Sequence, residues 1–363
     1  MKVIIRVDAS VKIGIGHVMR CLTLADALKE NNAKVEFICR EHEGNLIDFI
    51  QMKGFKVHSL LIKQHEIDAL QTSRLKSKND LTYNNWLGVS QQQDAELCKV
   101  ILKKINPSWV VVDHYALDET WQISLQDNYK KIMVIDDLAD RKHQCDLLLD
   151  QTYDRQTKHY KYLVPDSCKL LLGSKYSLLR PEFSMWREYS LNRRENPELK
   201  KLLISLGGVD KNNVTGKILD MLKTCNMHED LEIMVIVGSI CPHLDEIKQQ
   251  SDALPYNIVV KSDINNMAEI MANSDFAFGA SGTTTWERCC LGLPSIQIIL
   301  AENQRFIAKS IQKSRAALCI EVDQLDQMNS HLDILMKQMK NLISNSVKVT
   351  DGTGVSKVLK HIQ

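Results

Sequence analysis

Lys2-Val3-Ile4-Ile5-Arg6-Val7-Asp8-Ala9-Ser10-Val11-Lys12-Ile13-Gly14-Ile15-Gly16-His17-Val18-Met19-Arg20-Cys21-Leu22 decides the fold. Lys2 to Val7 is a short β-rich apolar run, and Val18, Cys21, Leu22, Ala25 and Leu28 then recur at helical spacing. Gly14 and Gly16 therefore fall where a strand becomes a helix. A helix start presents free backbone N–H groups, and glycines without a Cβ let an anion approach them. His17 belongs to the first helical turn, where the dipole disfavours an imidazolium, and it is a general-base candidate. Asp8, at the end of the same strand, either orients His17 or caps the helix. Taken alone, the glycine turn also fits a plain strand–helix junction, and the histidine a cap or surface residue.

Working outward, the first half alternates strand-like runs with helical patterns: Lys2 to Val7, Lys34 to Cys39, Trp109 to Val112, Lys131 to Ile135 and Asp146 to Leu149. That rhythm argues an α/β architecture with a parallel sheet covered on both faces. The second half repeats it at Lys201 to Leu206, Leu231 to Val237, Tyr256 to Val260, Phe276 to Phe278, Ser295 to Leu300 and Ala317 to Ile320. Two Rossmann-like doubly wound domains are expected, over 1–180 and 201–345. The segment 181–200 is polar and arginine-rich and reads as an exposed linker, and 346–363 as a turn and a terminal helix. Residues 64–95 read as a long polar connection with a helix beginning near Gln91.

The chain has 363 residues, enough for two cores, and 46 Lys+Arg against 45 Asp+Glu. A net charge of +1 advertises no surface for nucleic acid or acidic membrane. Ten cysteines occur without a CxxC pair, among them Cys21, Cys39, Cys145, Cys225 and Cys289-Cys290, and read as buried thiols of a cytoplasmic protein. No apolar stretch approaches a membrane span, and no leader is expected. None of the histidines has metal-ligand spacing with another, so no metal and no cofactor are expected.

Ligands of doubly wound sheets bind beyond the carboxyl ends of the strands, which directs attention to residues just after each run. Val110-Val111-Val112-Asp113-His114-Tyr115 is an apolar strand stopping in polar and aromatic groups. Asp113 and His114, as neighbours on an extended chain, point to opposite sides, and Asp113 reads as a helix cap or a site residue. Ser205-Leu206-Gly207-Gly208-Val209-Asp210 turns on paired glycines whose backbone suits an anion, or is a plain tight turn. Ser281-Gly282-Thr283, after the Phe276 strand, offers hydroxyl and backbone donors that serve equally as caps or phosphate contacts.

Arg6-x-Asp8-x-Ser10 with Ile13-Gly14-x-Gly16-His17-x-Met19-Arg20-Cys21-Leu22 resembles the N-terminal signature of the UDP-2,4-diacetamido-2,4,6-trideoxy-β-L-altropyranose hydrolases of pseudaminic acid biosynthesis. The segments Asn85 to Gln91, Val112 to Tyr115, Asp136-Asp137, Tyr176 to Phe183, Ser205 to Asp210 and Glu302-Asn303-Gln304 are similar to that family in the same order, close to end to end. The resemblance implies a glycosyltransferase-B type fold, with the two domains facing a cleft, and a metal-independent, inverting hydrolase releasing UDP and the free sugar. It implies His17 as the base that activates water, and a diphosphate held by the loops of Gly14, Gly16, Gly207, Gly208, Ser281, Gly282 and Thr283. It implies Glu287 on the ribose, and Tyr115, Arg180 and Asn303 on sugar or phosphate. The implied partner is a small-molecule UDP-sugar, in a pathway that decorates flagellin or surface polysaccharide. A glycosyltransferase with the same donor site, or a non-catalytic nucleotide-sugar binding module, are the alternatives; His17 argues against the second. Oligomeric state is not legible.

Overall fold

Within Lys2–Val7 (β1), Val3, Ile5 and Val7 pack into one apolar cluster while Ile4 packs into another, so both faces of the strand are covered. A strand buried on both faces has no polar alternation, which is why it reads as a continuous apolar run. The computed structural model describes residues 1–61, 83–225, 227–228, 230–238, 241–262 and 264–362. Around β1 lie β2 (Lys34–Arg40), β3 (Lys56–Leu60), β4 (Trp109–Asp113), β5 (Lys131–Ile135), β6 (Leu147–Asp150) and β7 (Lys169–Leu172). Their order is β3-β2-β1-β4-β5-β6-β7, and every pairing is parallel. Val7 is in register with Asp113 and Ile135 with Leu149, so Asp8, Asp113, Asp136 and Asp150 emerge along one edge of the sheet.

The helix Gly16–Glu30 buries Val18, Cys21, Leu22, Leu24, Ala25 and Leu28. Each leucine so buried contributes roughly 1.5–3 kcal/mol. No side chain caps its start and no acidic residue lies in its first turn. Helix Gln91–Ile105 has a capping box, in which Ser90 Oγ accepts from Gln93 N (3.2 Å) and Ser90 N donates to Gln93 Oε1 (3.0 Å). It ends at Asn106 in the left-handed region, before Pro107. This firmly placed helix carries Asp94 inward.

Two compact units divide the chain: Met1–Leu178 with Val355–Gln363, and Leu179–Gly354. The second holds β8 (Lys201–Ser205), β9 (Glu232–Val237), β10 (Asn257–Ser262), β11 (Phe276–Ala280), β12 (Ser295–Ile299) and β13 (Leu318–Glu321). They are ordered β10-β9-β8-β11-β12-β13, again all parallel. The two sheets thus share one winding order, reversing direction beside β1 and β8.

Three departures from the sequence reading have physical causes. Strands β3 and β7 carry no long apolar run because each is a sheet edge, with only one paired side to bury. The segment 181–200 is no exposed linker: it forms helices Pro181–Met185 and Arg187–Arg193, with Phe183, Ser190 and Arg194 buried. Its arginines point inward, Arg187 donating to the carbonyls of Cys290, at the end of helix Thr284–Cys290, of Val347 (2.8 Å), just past helix Met328–Ser346, and of Thr350 (3.1 Å). The terminal segment 346–363 is divided between the units: Val358, Leu359 and Ile362 pack into the core of the first. Of the connection read over 64–95, residues 64–82 lie outside the described residues, and a helix does begin at Gln91.

Candidate functional site

In the first unit, the carboxyl edge of the sheet is a buried ionic array. His17, placed by the first turn of helix Gly16–Glu30, is 8% exposed, and its Nδ1 lies 2.6 Å from Asp113 Oδ1. One turn on, Arg20 reaches the same carboxylate twice, Nε to Oδ2 and Nη2 to Oδ1, each at 2.7 Å. Arg20 Nη1 also donates to Asp137 Oδ2 at 2.5 Å, which accepts the Tyr115 hydroxyl at 2.8 Å. Burial opposes ionisation of Asp113, but Arg20 and then His17 hold its carboxyl well below the usual range. An ionised carboxylate only accepts, so the proton shared between the two groups lies on His17 Nδ1, and in a neutral imidazole so held the lone pair falls on Nε2. This is the tautomer a general base needs.

Aromatic rings enclose the imidazole. Tyr115 meets it edge-on at 4.6 Å between centroids and Trp86 at 6.2 Å, while Trp86 and Tyr115 stack at 5.6 Å and Tyr83 touches both. Tyr115 therefore presents a ring rather than a hydroxyl, since burial and then Asp137 keep its proton firmly in place.

Asp8 does not orient His17, and it caps no helix. Its Oδ1 accepts from Arg6 Nη1 (2.5 Å) and from the Arg40 backbone N–H (2.7 Å), and its Oδ2 faces His114 Nε2 at 3.3 Å. The reason is geometric: Asp8 follows β1 and turns toward the β2 side, whereas Asp113 ends β4 beneath helix Gly16–Glu30. Asp113 and His114 do point apart, one to His17 and the other to Asp8. Gly14 has φ +79° and donates to Ser10 O (2.8 Å), while Ser10 Oγ accepts from the N–H groups of Lys12 (3.1 Å) and Ile13 (3.0 Å). The turn folds on itself and delivers Gly16 and His17 to an uncapped helix start.

The second unit's carboxyl edge is built from small residues. Gly207 has φ +103°, and Gly208 is so close to Gly238 that a Cβ on the latter would lie 2.1 Å from Gly208 O. Asp210, which follows this turn, accepts from Val214 N (2.9 Å) and Thr215 N (2.8 Å) and so anchors helix Val214–Leu222. Ser281, Gly282 and Thr283 lead from β11 into helix Thr284–Cys290, where Glu287 is half-buried. Burial raises the Glu287 carboxyl above its ordinary value, opposed by Arg180, whose Nη2 is 4.0 Å away. Arg180 also pairs with Glu182 at 3.0 Å and lies over the Phe183 ring. Asn303 sits in a short turn, Glu302–Gln304, after β12, beside Gln304, whose Oε1 accepts from Leu300 N at 2.9 Å.

Residues 204–362 match the glycosyltransferase family 28 C-terminal domain. The crystal structure of Acinetobacter baumannii MurG superposes with a TM-score of 0.70 at 13% identity, over 100% of this chain and 99% of that one. The chain has the glycosyltransferase-B fold. Among curated proteins, it is 28% identical over 84% of its length to the uncharacterized protein MJ1062 of Methanocaldococcus jannaschii, of which it spans only 57%. It is 26% identical over 86% of its length to the UDP-2,4-diacetamido-2,4,6-trideoxy-beta-L-altropyranose hydrolase of Campylobacter jejuni, of which it spans 97%.

Within this glycosyltransferase-B fold, sequence reasoning brought out His17, Glu287 and Arg180, and the last two stand side by side. It missed Arg20, Asp137, Trp86 and Tyr83 as neighbours of the base, and left Asp113 undecided. A signal for Arg20 was present, since residues i and i+3 of a helix share a face. Asp137 and the Tyr83–Trp86 segment come from distant elements, which a local pattern does not connect. Among the described residues, no group of three His, Cys, Asp or Glu is arranged to hold a metal, and no helix is long and apolar enough to cross a membrane.

Proposed function

We propose that the chain hydrolyses a UDP-linked diacetamido sugar, with UDP-2,4-diacetamido-2,4,6-trideoxy-β-L-altropyranose as substrate and without a metal. The observation that carries this reading is the His17–Asp113 contact, backed by Arg20. A buried carboxylate that fixes the tautomer of a histidine beside an uncapped helix start is an arrangement for taking a proton, and a binding module has no use for it. His17 Nε2 takes a proton from water as the water oxygen bonds to the anomeric carbon. The bond to UDP breaks with its electron pair on the departing phosphate oxygen, and the anomeric configuration inverts.

In the second unit, Glu287 accepts from the ribose hydroxyls, its two oxygens suiting a vicinal diol. Gly207, Gly208, Ser281, Gly282 and Thr283 carry the diphosphate, and Arg180 and Asn303 serve sugar or phosphate. In the first unit, Gly14 and Gly16 free the helix start, and the Tyr115 ring offers an apolar surface to a deoxy sugar. The name of the Campylobacter jejuni relative supports the substrate. The family 28 domain match favours a second reading, transfer of the same sugar to an acceptor other than water. Incubating purified protein with the UDP-sugar alone, while following UDP and free sugar by NMR, separates them. Stoichiometric free sugar supports hydrolysis, and no turnover until an acceptor is added supports transfer.

A further inference from the structure

Among the arginines of the second unit that point inward, Arg187, Arg193 and Arg194 have an evident structural employment, Arg193 pairing with the buried Asp275. Arg187 donates to the carbonyls of Cys290, Val347 and Thr350. Arg194 donates to Met271 O (2.9 Å), Ala272 O (3.2 Å) and Ser274 O (2.7 Å), closing helix Met267–Asn273 where its dipole is negative. Arg288 differs. It is 1% exposed, makes no ion pair with a carboxylate among the described residues, and donates to one carbonyl, Ala280 O at 2.6 Å. Its other partners are the neutral hydroxyls of Thr284 (3.1 Å) and Thr285 (3.4 Å), and its Nε has none.

The backbone has been cleared to admit this guanidinium: a Cβ on Gly279 would lie 2.3 Å from Arg288 Nη1. A buried charge without a counter-charge is costly, and a fold retains one when something else supplies the opposite sign. Burial lowers its pKa to about 10, so it remains a cation at neutral pH. Ala280 and Thr284, two of its three partners, bracket Ser281-Gly282-Thr283.

We infer that Arg288 is a positioning residue for the diphosphate: from behind the 281–283 loop it fixes the loop's shape and supplies positive potential. The neighbouring Glu287 carboxylate, with which it makes no ion pair among the described residues, offsets that potential only in part. The inference rests on the UDP-binding reading above and adds to it a specific residue that never touches the ligand. Its signature is selectivity for charge. Titration of the full chain with UDP and with uridine measures this. Arg288→Gln should weaken UDP by roughly tenfold or more, as expected for loss of a buried charge interaction, while changing uridine by less than about twofold. Arg288→Lys keeps the charge without the planar fork and should recover part of the UDP affinity. Thermal melts of each variant confirm that a folded protein is compared.

Equal weakening of UDP and uridine would overturn the inference and make Arg288 a purely structural residue. Unchanged UDP affinity in Arg288→Gln would overturn it as well. Should Arg288→Gln fail to fold, the Lys variant decides: a UDP affinity equal to that of the unmodified protein, or equal weakening of UDP and uridine, contradicts the inference. A wild-type chain that binds neither UDP nor pyrophosphate would instead remove the UDP reading on which it rests, and the inference with it.

Discussion

The two units wind their strands in the same order, yet they furnish the carboxyl edges of their sheets in opposite ways. In the first, Asp8, Asp113, Asp136, Asp137 and Asp150 face Arg6, Arg20, Arg141 and Arg155 in buried pairs. In the second, the turns after β8, β9 and β11 hold Gly207, Gly208, Gly238, Ser281 and Gly282, the carboxylates Glu302 and Glu321 after β12 and at the end of β13 pair with Arg305 on the surface, and the buried Arg288 makes no ion pair among the described residues. Dense paired charge fixes side chains and protonation states, which suits proton transfer. Open backbone and unmatched positive charge suit an anion that arrives from solution. One scaffold has been given two electrostatic characters, and the proposed division of labour follows from that.

The division is broken most severely at the base. His17→Ala should lower turnover by about 10²- to 10⁴-fold, the usual contribution of a general base, while UDP affinity stays within a few-fold. Steady-state kinetics with UDP titration test it, and near-normal turnover would remove His17 from the chemistry. Asp113→Asn should act in the same sense, with turnover lower by up to about 10⁴-fold, because an amide no longer fixes the proton on Nδ1. KM should move little, since the effect reaches the substrate through His17. A larger change in KM than in kcat would assign Asp113 to binding.

The second unit should respond in the reverse sense. Glu287→Ala should weaken UDP by about 1–3 kcal/mol, the worth of charge-assisted hydrogen bonds, and weaken substrate equally, because a ribose contact is present in both ground and transition states. Calorimetry measures it. Unchanged affinity would leave Glu287 as the partner of Arg180 and nothing more.

Much of this was legible in the sequence, for a definite reason. Strands such as Val110–Val112 and Phe276–Phe278 are buried on both faces, so their apolar runs and their abrupt polar ends survive as local patterns. Edge strands Lys56–Leu60 and Lys169–Leu172 leave no such pattern. His17 stands out because it adjoins glycines in sequence, whereas its orienting partner Asp113 is contributed by a neighbouring strand, 96 residues away. Composition misled at 181–200, where arginines that ordinarily mark a surface are bonded to helix-end carbonyls.

The smallest expected effect concerns acid. Burial drives the His143 pKa down to about 4 and also lowers that of His114. Their unfolded forms bind more protons below the ordinary histidine value of about 6.5, so stability falls as pH drops through that window. Asp94 and Asp136 are held at about 2 against the opposing effect of burial, by Arg6 and Arg141 respectively, which extends the loss below about pH 4. All four groups belong to the first unit. Burial raises the Asp150 carboxyl to about 7, which offsets the histidines between about pH 7 and 5. The excess loss of hydrogen-exchange protection in the first unit over the second, corrected for intrinsic rates, should therefore appear below about pH 4. An equal loss in both would contradict the electrostatic contrast.

The central claim is that His17 directs water to the anomeric carbon, and turnover of UDP-2,4-diacetamido-2,4,6-trideoxy-β-L-altropyranose in H₂¹⁸O with excess EDTA tests it most directly. We expect ¹⁸O in the free sugar, unlabelled UDP, an initially inverted anomer by NMR and no loss of rate to the chelator. Label in UDP would mean attack at phosphorus, still a hydrolysis but one that contradicts both attack at the anomeric carbon and the role assigned to His17.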